Sequence, residues 1–302
     1  MSLEGRQQII ASIRESMFEN AEALARLAHT ETGLGRVEDK IVKNRLVTRK
    51  TSGTEVLTPQ AVTGDNGLTL TEYAPYGVIG AITPTTNPTS TIICNTIAMV
   101  SAGNSIVFNV HPNARECSMA NVRLIHEAIV RAGGPANLVT AVATPTIESA
   151  QELMSHKGVR LLAVTGGSGV VRQAMTSGKR AICAGPGNPP VVVDATADLD
   201  HAARSIVAGA SFDNNIVCVD EKEVIAVESI ADDLLQRMGQ HGARVLTESE
   251  LHKVTNVIFT EYPGRRQRAP LQKDLIGKNA SEILARAGIA SHGDPRLLVV
   301  RT

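Results

Sequence analysis

The chain has almost no aromatic residues. Its 302 residues include no Trp, and Phe, Tyr and Trp together make up 2%, although 43% of the chain is apolar. A core without large rings is built from Val, Ile, Leu and Ala, the composition of a buried parallel sheet flanked by helices. Excess charge of either sign is also missing, with 30 Lys and Arg against 30 Asp and Glu. That balance argues against a sequence-independent nucleic-acid binder and against a polybasic membrane-surface protein. The four cysteines (Cys94, Cys117, Cys183 and Cys218) contain no C-x-x-C pair and no His at ligand spacing. Neither a metal site nor a disulfide framework is therefore expected. No apolar run is long enough to span a bilayer, and the start has no charged segment followed by an apolar one. A soluble, cytoplasmic protein is the expectation.

What is present is periodicity. Residues 6–28 place Ile9, Ile10, Ile13, Met17, Ala21, Leu24 and Leu27 at helical spacing, and Gly33 ends the pattern. A more charged helix is predicted over 36–50. The stretch 59–67 is turn-rich, and 68–73 alternates like a half-exposed strand. From Val78 strands and helices alternate regularly. Strands are predicted over 78–82, 105–110, 138–143, 160–165 and 180–184, and helices over 89–102, 113–132, 146–156 and 169–177. Near-continuous apolar strands joined by short turns imply right-handed βαβ units.

Beyond them lie an apolar run at 190–194 and a helix over 199–208. A second α/β unit opens at Glu223, with helices over 230–240 and 280–288, a capping box at Thr247-x-x-Glu250, a polar loop over 262–273 and a strand over 297–300. The expected fold is α/β: a parallel Rossmann-type sheet with helices on both faces over 1–197, and part of a second α/β lobe over 198–302.

In such a sheet, ligands bind beyond the carboxyl ends of the strands. The turns there are Thr83-Pro84-Thr85-Thr86-Asn87-Pro88, His111-Pro112-Asn113, Thr144-Pro145, Thr165-Gly166-Gly167-Ser168-Gly169 and Gly185-Pro186-Gly187-Asn188-Pro189-Pro190. Most lead into a helix N-terminus, whose free N–H groups suit phosphates. The Gly166 turn is not a G-x-G-x-x-G fingerprint, because Arg172 falls where the third glycine belongs. Asn87 is either a turn initiator or an amide donor to a developing oxyanion, perched between prolines. His111 is either a pocket residue or the start of a helix. Cys94, Cys117 and Cys183 sit in helical or strand patterns and are expected to pack. Cys218 follows the polar run 211–215 and is either buried packing or a nucleophile at the lip of a cleft.

Several segments together resemble the aldehyde dehydrogenase superfamily: Pro75-Tyr76-Gly77-Val78-Ile79-Gly80, the 84–88 turn, Ala102-Gly103-Asn104-Ser105-Ile106-Val107, Val164-Thr165-Gly166-Gly167 and 212–218. Within it, Glu31-Thr32-Gly33-Leu34-Gly35-Arg36-Val37-Glu38-Asp39-Lys40, 63–70, 185–193 and 209–222 resemble the CoA-acylating acetaldehyde and propionaldehyde dehydrogenases of ethanolamine and propanediol utilisation. The resemblance implies a Cys218 nucleophile, an Asn87 oxyanion donor, and a cofactor site at Thr83, Pro84, Thr85, His111, Pro112, Thr165, Gly166 and Gly167. It makes 1–197 an NAD(H)- and CoA-binding domain and 198–302 the N-terminal part of a catalytic domain.

It further implies that a short-chain aldehyde, NAD and CoA are the small-molecule partners, that the full-length protein is a homo-oligomer, and that its location is the cytoplasm or a bacterial microcompartment. The carboxylate that activates water in hydrolytic relatives has no counterpart near Ala184, since no Asp or Glu lies between Arg180 and Val193. The Lys and Glu that hold the adenosine ribose in the family are replaced near Asn109 and Pro112. The family is longer at both ends, so the sequence is expected to be a truncated chain with little turnover. It would lack the carboxylate steadying the nicotinamide ribose, one wall of the substrate pocket and a subunit-joining strand. The alternatives are a hydrolytic aldehyde dehydrogenase or acyl-phosphate reductase on the same fold, and an inactive nucleotide-binding fragment.

Overall fold

In the computed structural model, which describes residues 1–264, 269–291 and 293–302, the alternating segments fold as two compact units. One comprises Met1–Thr32 and Lys40–Pro186, the other Gly33–Asp39 and Gly187–Thr302.

The helical stripe at the start forms two helices rather than the single one predicted, α1 (Leu3–Glu19) and α2 (Ala21–Thr32). Asn20 breaks them, its side-chain amide donating to the Ser16 carbonyl at 2.8 Å. The break resets the phase: Ala21, Leu24, Ala25 and Ala28 are buried, while Leu27 turns outward at 36% exposure. Helix α3 (Val37–Lys50) follows, then a hairpin of β1 (Gln60–Gly64) and β2 (Gly67–Thr71). The first hairpin strand falls in the stretch predicted to be turns, and both strands are exposed at every residue. The alternating Leu68 and Leu70 marked β2 as a half-exposed strand, but both are exposed in the fold, and Gln60-Ala61-Val62-Thr63-Gly64 of β1 has no such alternation.

The alternation from Val78 gives β3 (Val78–Ile82), α4 (Pro88–Ser101), β4 (Ser105–Asn109), α5 (Arg115–Arg131), β5 (Val139–Ala141), α6 (Ile147–Ser155), β6 (Val159–Thr165), α7 (Ser168–Met175) and β7 (Ala181–Ala184). These five strands are all parallel, in the order β5-β4-β3-β6-β7. Successive residues of β3 point to opposite faces. Ala81 joins a core with Ile13, Met17, Ile93, Ile97, Phe108 and Ile129 from α1, α4, β4 and α5. Ile82 joins another with Leu153, Met154, Leu162 and Ala174 from α6, β6 and α7. Helices therefore cover both faces, as the apolar strands require.

The second unit holds β8 (Pro190–Val193), α8 (Leu199–Ala210), β9 (Glu223–Ala226), α9 (Glu228–Gln240), β10 (Ala243–Val245), α10 (Glu248–Ile258), α11 (Ala280–Arg286) and β11 (Leu297–Val299). Strand β8 pairs in parallel with β9, and β10 with β11. The compact units divide after Pro186, with β8 and β9 in the second. The capping box at Thr247 opens α10. The loop predicted over 262–273 includes 265–268, which lie outside the described residues. No described helix is long and apolar enough to cross a membrane.

Ile97 is fully buried in the larger core, so Ile97→Ala is expected to destabilise the protein by about 2–5 kcal/mol in urea unfolding. Leu27→Ala, on the exposed side of α2, should stay within roughly 0.5 kcal/mol.

Candidate active site

Each unit carries part of the candidate chemistry. In the second, everything converges on the loop between α8 and β9 that bears Cys218. Its entry is unusual: Asp213, Asn214 and Asn215 all take positive φ, at 47°, 54° and 62°. Left-handed backbone costs most L-residues roughly 1–2 kcal/mol each, and Asn and Asp tolerate it best because their short side chains bond locally.

Here each side chain of the run is engaged. Asp213 Oδ1 accepts the Arg36 N–H at 2.8 Å, and the Asp213 N–H donates to Asp39 Oδ2 at 3.0 Å. Asn214 Nδ2 donates to the Gly277 carbonyl at 2.9 Å and to Asn279 Oδ1 at 3.1 Å, while Asn214 Oδ1 accepts Arg36 Nε at 2.6 Å. Asn215 Nδ2 closes the loop by bridging the Ala210 carbonyl at 2.6 Å and the Glu221 carbonyl at 3.0 Å. At about 0.5–1.5 kcal/mol per bond, these contacts are of the size needed to hold the strained run.

Lys222 fastens the other side of the loop. Its ammonium donates to the carbonyls of Val217 at 3.1 Å, Asn215 at 3.3 Å and Asp220 at 3.3 Å, on both sides of Cys218. Burial pushes the Lys222 pKa below its ordinary 10.5, against the opposing pull of Asp220, Cys218 and Glu221. The Lys222 N–H donates to the Pro189 carbonyl at 2.9 Å and ties the loop to the β8 end. Backbone closes in from two more sides. A Cβ on Gly187 would lie 2.1 Å from the Cys218 carbonyl oxygen, and one on Gly35 would lie 1.9 Å from Asp213 Oδ1. Both positions admit glycine alone without a shift of the chain. Cys218 itself is half-buried. Cys218 is thus a partly exposed thiol on a tightly held loop.

The other cysteines differ. Cys117 is fully buried at the start of α5, and Glu31 accepts its N–H and that of Glu116, each at 2.8 Å. Burial, reinforced by Glu31, pushes the Cys117 thiol up to about 12, which leaves it protonated and inert. Cys94 and Cys183 are half-buried in α4 and β7.

In the first unit, the strand order places the topological switch between β3 and β6, where the chain runs outward in both directions. The turns leaving these two strands are Thr83-Pro84-Thr85 and Thr165-Gly166-Gly167, both singled out by their sequence. Thr83 is 2% exposed, and its hydroxyl has no hydrogen-bond partner. Gly167 stands at the N-cap of α7 with no side chain capping the helix, and a Cβ there would meet nothing within 4 Å. An unsatisfied hydroxyl beside an open helix N-terminus fits the phosphates of a dinucleotide.

His111, followed by Pro112 at the end of β4, accepts the Asn113 N–H on Nδ1 at 3.1 Å. Burial lowers its pKa, so at neutral pH the ring is uncharged and carries its proton on Nε2, as a donor. Asn109 Oδ1 accepts the Ser149 hydroxyl at 2.6 Å.

Asn87 occupies the N-cap of α4, yet its side chain makes no capping bond. Its Oδ1 accepts Lys43 Nζ at 2.5 Å, and its Nδ2 donates to the Thr86 hydroxyl at 3.1 Å. The sequence had drawn attention to Asn87 and to the segments holding Gly187 and Lys222, but not to Lys43, to the carbonyl contacts of Lys222 or to the left-handed run. The one legible signal was Asp213-Asn214-Asn215, three residues of the types that tolerate positive φ.

Comparison with known proteins follows the same lines. The aldehyde dehydrogenase family profile matches residues 1–258. An acetaldehyde dehydrogenase (acetylating) of Bilophila wadsworthia (strain 3_1_6) is 52% identical over 98% of this chain and 62% of its own length. The chain therefore spans less than two thirds of that relative. A propionaldehyde dehydrogenase from the fucose utilisation bacterial microcompartment of Clostridium phytofermentans superposes with a TM-score of 0.93 at 47% identity, over 99% of this chain and 68% of its own. A Rhodopseudomonas palustris propionaldehyde dehydrogenase, solved with bound CoA and an acylated cysteine, gives 0.93 at 44% identity over 99% and 68%.

Lys222→Met removes three bonds to the Cys218 loop. At about 0.5–1.5 kcal/mol each, amide exchange across 215–220 should rise by at least about tenfold, with α8 unchanged as the internal reference. Iodoacetamide near neutral pH should leave Cys117 unmodified in the native protein and label it only after unfolding.

Proposed function

We propose that this chain, which belongs to the aldehyde dehydrogenase family, carries the machinery for oxidising a short-chain aldehyde to its acyl-CoA thioester with NAD as acceptor. One observation carries the choice of product: the thiol loop has no carboxylate partner in the exit turn of β7, since the described run 181–193 contains neither Asp nor Glu. A cysteine thioester with no general base to activate water survives long enough to be collected by another thiol. The acetylating and CoA-linked names of relatives at 44–52% identity support the same product.

The roles follow from this chemistry. The Cys218 thiolate attacks the aldehyde carbon, and the Asn87 amide and the Cys218 N–H are assigned to the resulting oxyanion. The turns at Thr83-Pro84-Thr85, His111-Pro112 and Thr165-Gly166-Gly167 would hold the dinucleotide, with the Thr83 hydroxyl and the α7 N-terminus as its polar contacts. Bound NAD supplies the acceptor for the hydride that leaves the thiohemiacetal carbon. The carbonyl then re-forms as an acyl thioester on Cys218, and the CoA thiol displaces Cys218 from it. One thioester replaces another, so the cycle is reversible and ping-pong. One neighbour comes from a bacterial microcompartment by name; we extend that location to this protein and propose that it assembles as a homo-oligomer, to be read by co-fractionation with shell particles and by sedimentation.

Incubation with NAD and propionaldehyde is expected to leave a propionyl group on the Cys218 peptide, detected by mass spectrometry and removed by CoA. Repeated turnover of NADH without CoA would show hydrolysis instead, and the absence of any adduct would sink the nucleophile assignment. Asn87→Ala should slow acylation by about 10²–10³, the usual cost of losing an oxyanion donor.

A further inference from the structure

Lys43 is a buried cation, 7% exposed, with no place in the chemistry set out above. It projects from α3 next to Asn44, which is fully buried and also reaches α4: Asn44 Oδ1 accepts the Thr89 hydroxyl at 2.9 Å, and Asn44 Nδ2 donates to the Ala21 carbonyl at 3.1 Å. Asn121 of α5 secures the same turn, donating to the Thr89 carbonyl at 2.9 Å. The start of α4 is thus fixed from α3 and α5, and Lys43 is the member of this set that reaches Asn87.

We propose that Lys43 is the positioning residue for the Asn87 amide: its ammonium captures Oδ1 and so presents Nδ2 as the hydrogen-bond donor. This rests on Asn87 being the oxyanion donor. An Asn amide has nearly the same shape in its two flipped states, and its neighbours decide between them. An ammonium is a donor only, so it pairs with the oxygen and never with the nitrogen. With Oδ1 held at 2.5 Å, the flipped state would set an –NH₂ against an –NH₃⁺. The same contact draws electron density toward Oδ1 and sharpens the Nδ2–H groups as donors, the mutual strengthening of linked hydrogen bonds.

The Asn87 backbone explains why the amide needs an external partner. At φ −134° and ψ 52° it is an N-cap whose side chain does not cap its own helix. The ordinary means of fixing an N-cap Asn is absent, and Lys43 replaces it. Lys43 touches no substrate in this scheme and acts through Asn87.

The test is a double-mutant cycle on propionyl transfer to Cys218, with Lys43→Met, Asn87→Ala and the double variant, each checked for folding by circular dichroism. Lys43→Met is expected to lower kcat about tenfold with KM for aldehyde unchanged, short of the ~10²–10³ for losing the donor itself. In the Asn87→Ala background the Lys43 substitution should cost nothing further. A full, additive loss there would overturn the proposal. An Asn87→Ala protein that acylates at the parent rate would instead overturn the assignment of Asn87.

Lys43→Arg keeps a donor and serves if Lys43→Met does not fold: any loss it shows must vanish when Asn87 is Ala. A second readout needs no turnover. In ¹⁵N-Asn-labelled protein the side-chain NH₂ pair of Asn87, assigned by its disappearance in Asn87→Ala, should shift on Lys43→Met. An unmoved pair would also overturn the proposal.

Discussion

The left-handed run at Asp213, Asn214 and Asn215 is the constraint on which the thiol loop depends. Three consecutive non-glycine residues at positive φ do not persist on local preference alone, because each lies in a sparsely populated well. They persist because the surroundings over-determine them. Residues from two distant parts of the chain meet this run: Arg36 and Asp39 before it, and Gly277 with Asn279 after it. Gly35 and Gly187 are glycines for the same reason, since a methyl group at either would occupy space already taken by Asp213 or by Cys218. The loop is therefore rigid by steric closure as well as by hydrogen bonds. Lys222 completes the arrangement by gathering carbonyls from both sides of Cys218.

The first unit uses a different physics. Its polar groups sit where a parallel sheet reverses its direction of growth, so topology alone brings the turns after β3 and β6 side by side. No tight glycine fingerprint is required. Thr83 supplies a hydroxyl left without a partner, and α7 supplies an uncapped N-terminus. The proposed roles ask different things of these groups: a cofactor that comes and goes is served by groups it completes, whereas a nucleophile is useful only if its position does not depend on the ligand.

Much of the fold was legible because buried strands and amphipathic helices write their periodicity into the sequence. The βαβ series from Val78 and the capping box at Thr247 are of this kind. What escaped detection lacked a periodic cause. Strand β1, Gln60-Ala61-Val62-Thr63-Gly64, lacks the apolar-polar alternation that marked its equally exposed partner β2. Asn20 broke a helix by a local amide-to-carbonyl bond, invisible in the spacing of Ile13, Met17 and Leu24. At the site, Cys218 and Asn87 stood out by residue type and by resemblance. Lys43 and Lys222 did not, because a lysine in a charged helix or a charged strand start reads as solvated surface until its distant partners are known.

The thiol's surroundings bear on why its ester would wait for CoA. Hydrolysis needs a water held and deprotonated beside the acyl carbon, which demands a base of modest pKa on a fixed perch. Two of the polar side chains at the loop are not bases for that task. Asn215 carries an uncharged amide, and Lys222 points its donors at carbonyls. Glu221 presses against Gly209 so closely that a Cβ there would lie 2.1 Å from Glu221 Oε2. A thiol acceptor asks for less, since it arrives with its own nucleophile and with much lower basicity than water's conjugate base. The proposed choice of a thiol acceptor therefore rests on the run 181–193, which holds neither Asp nor Glu.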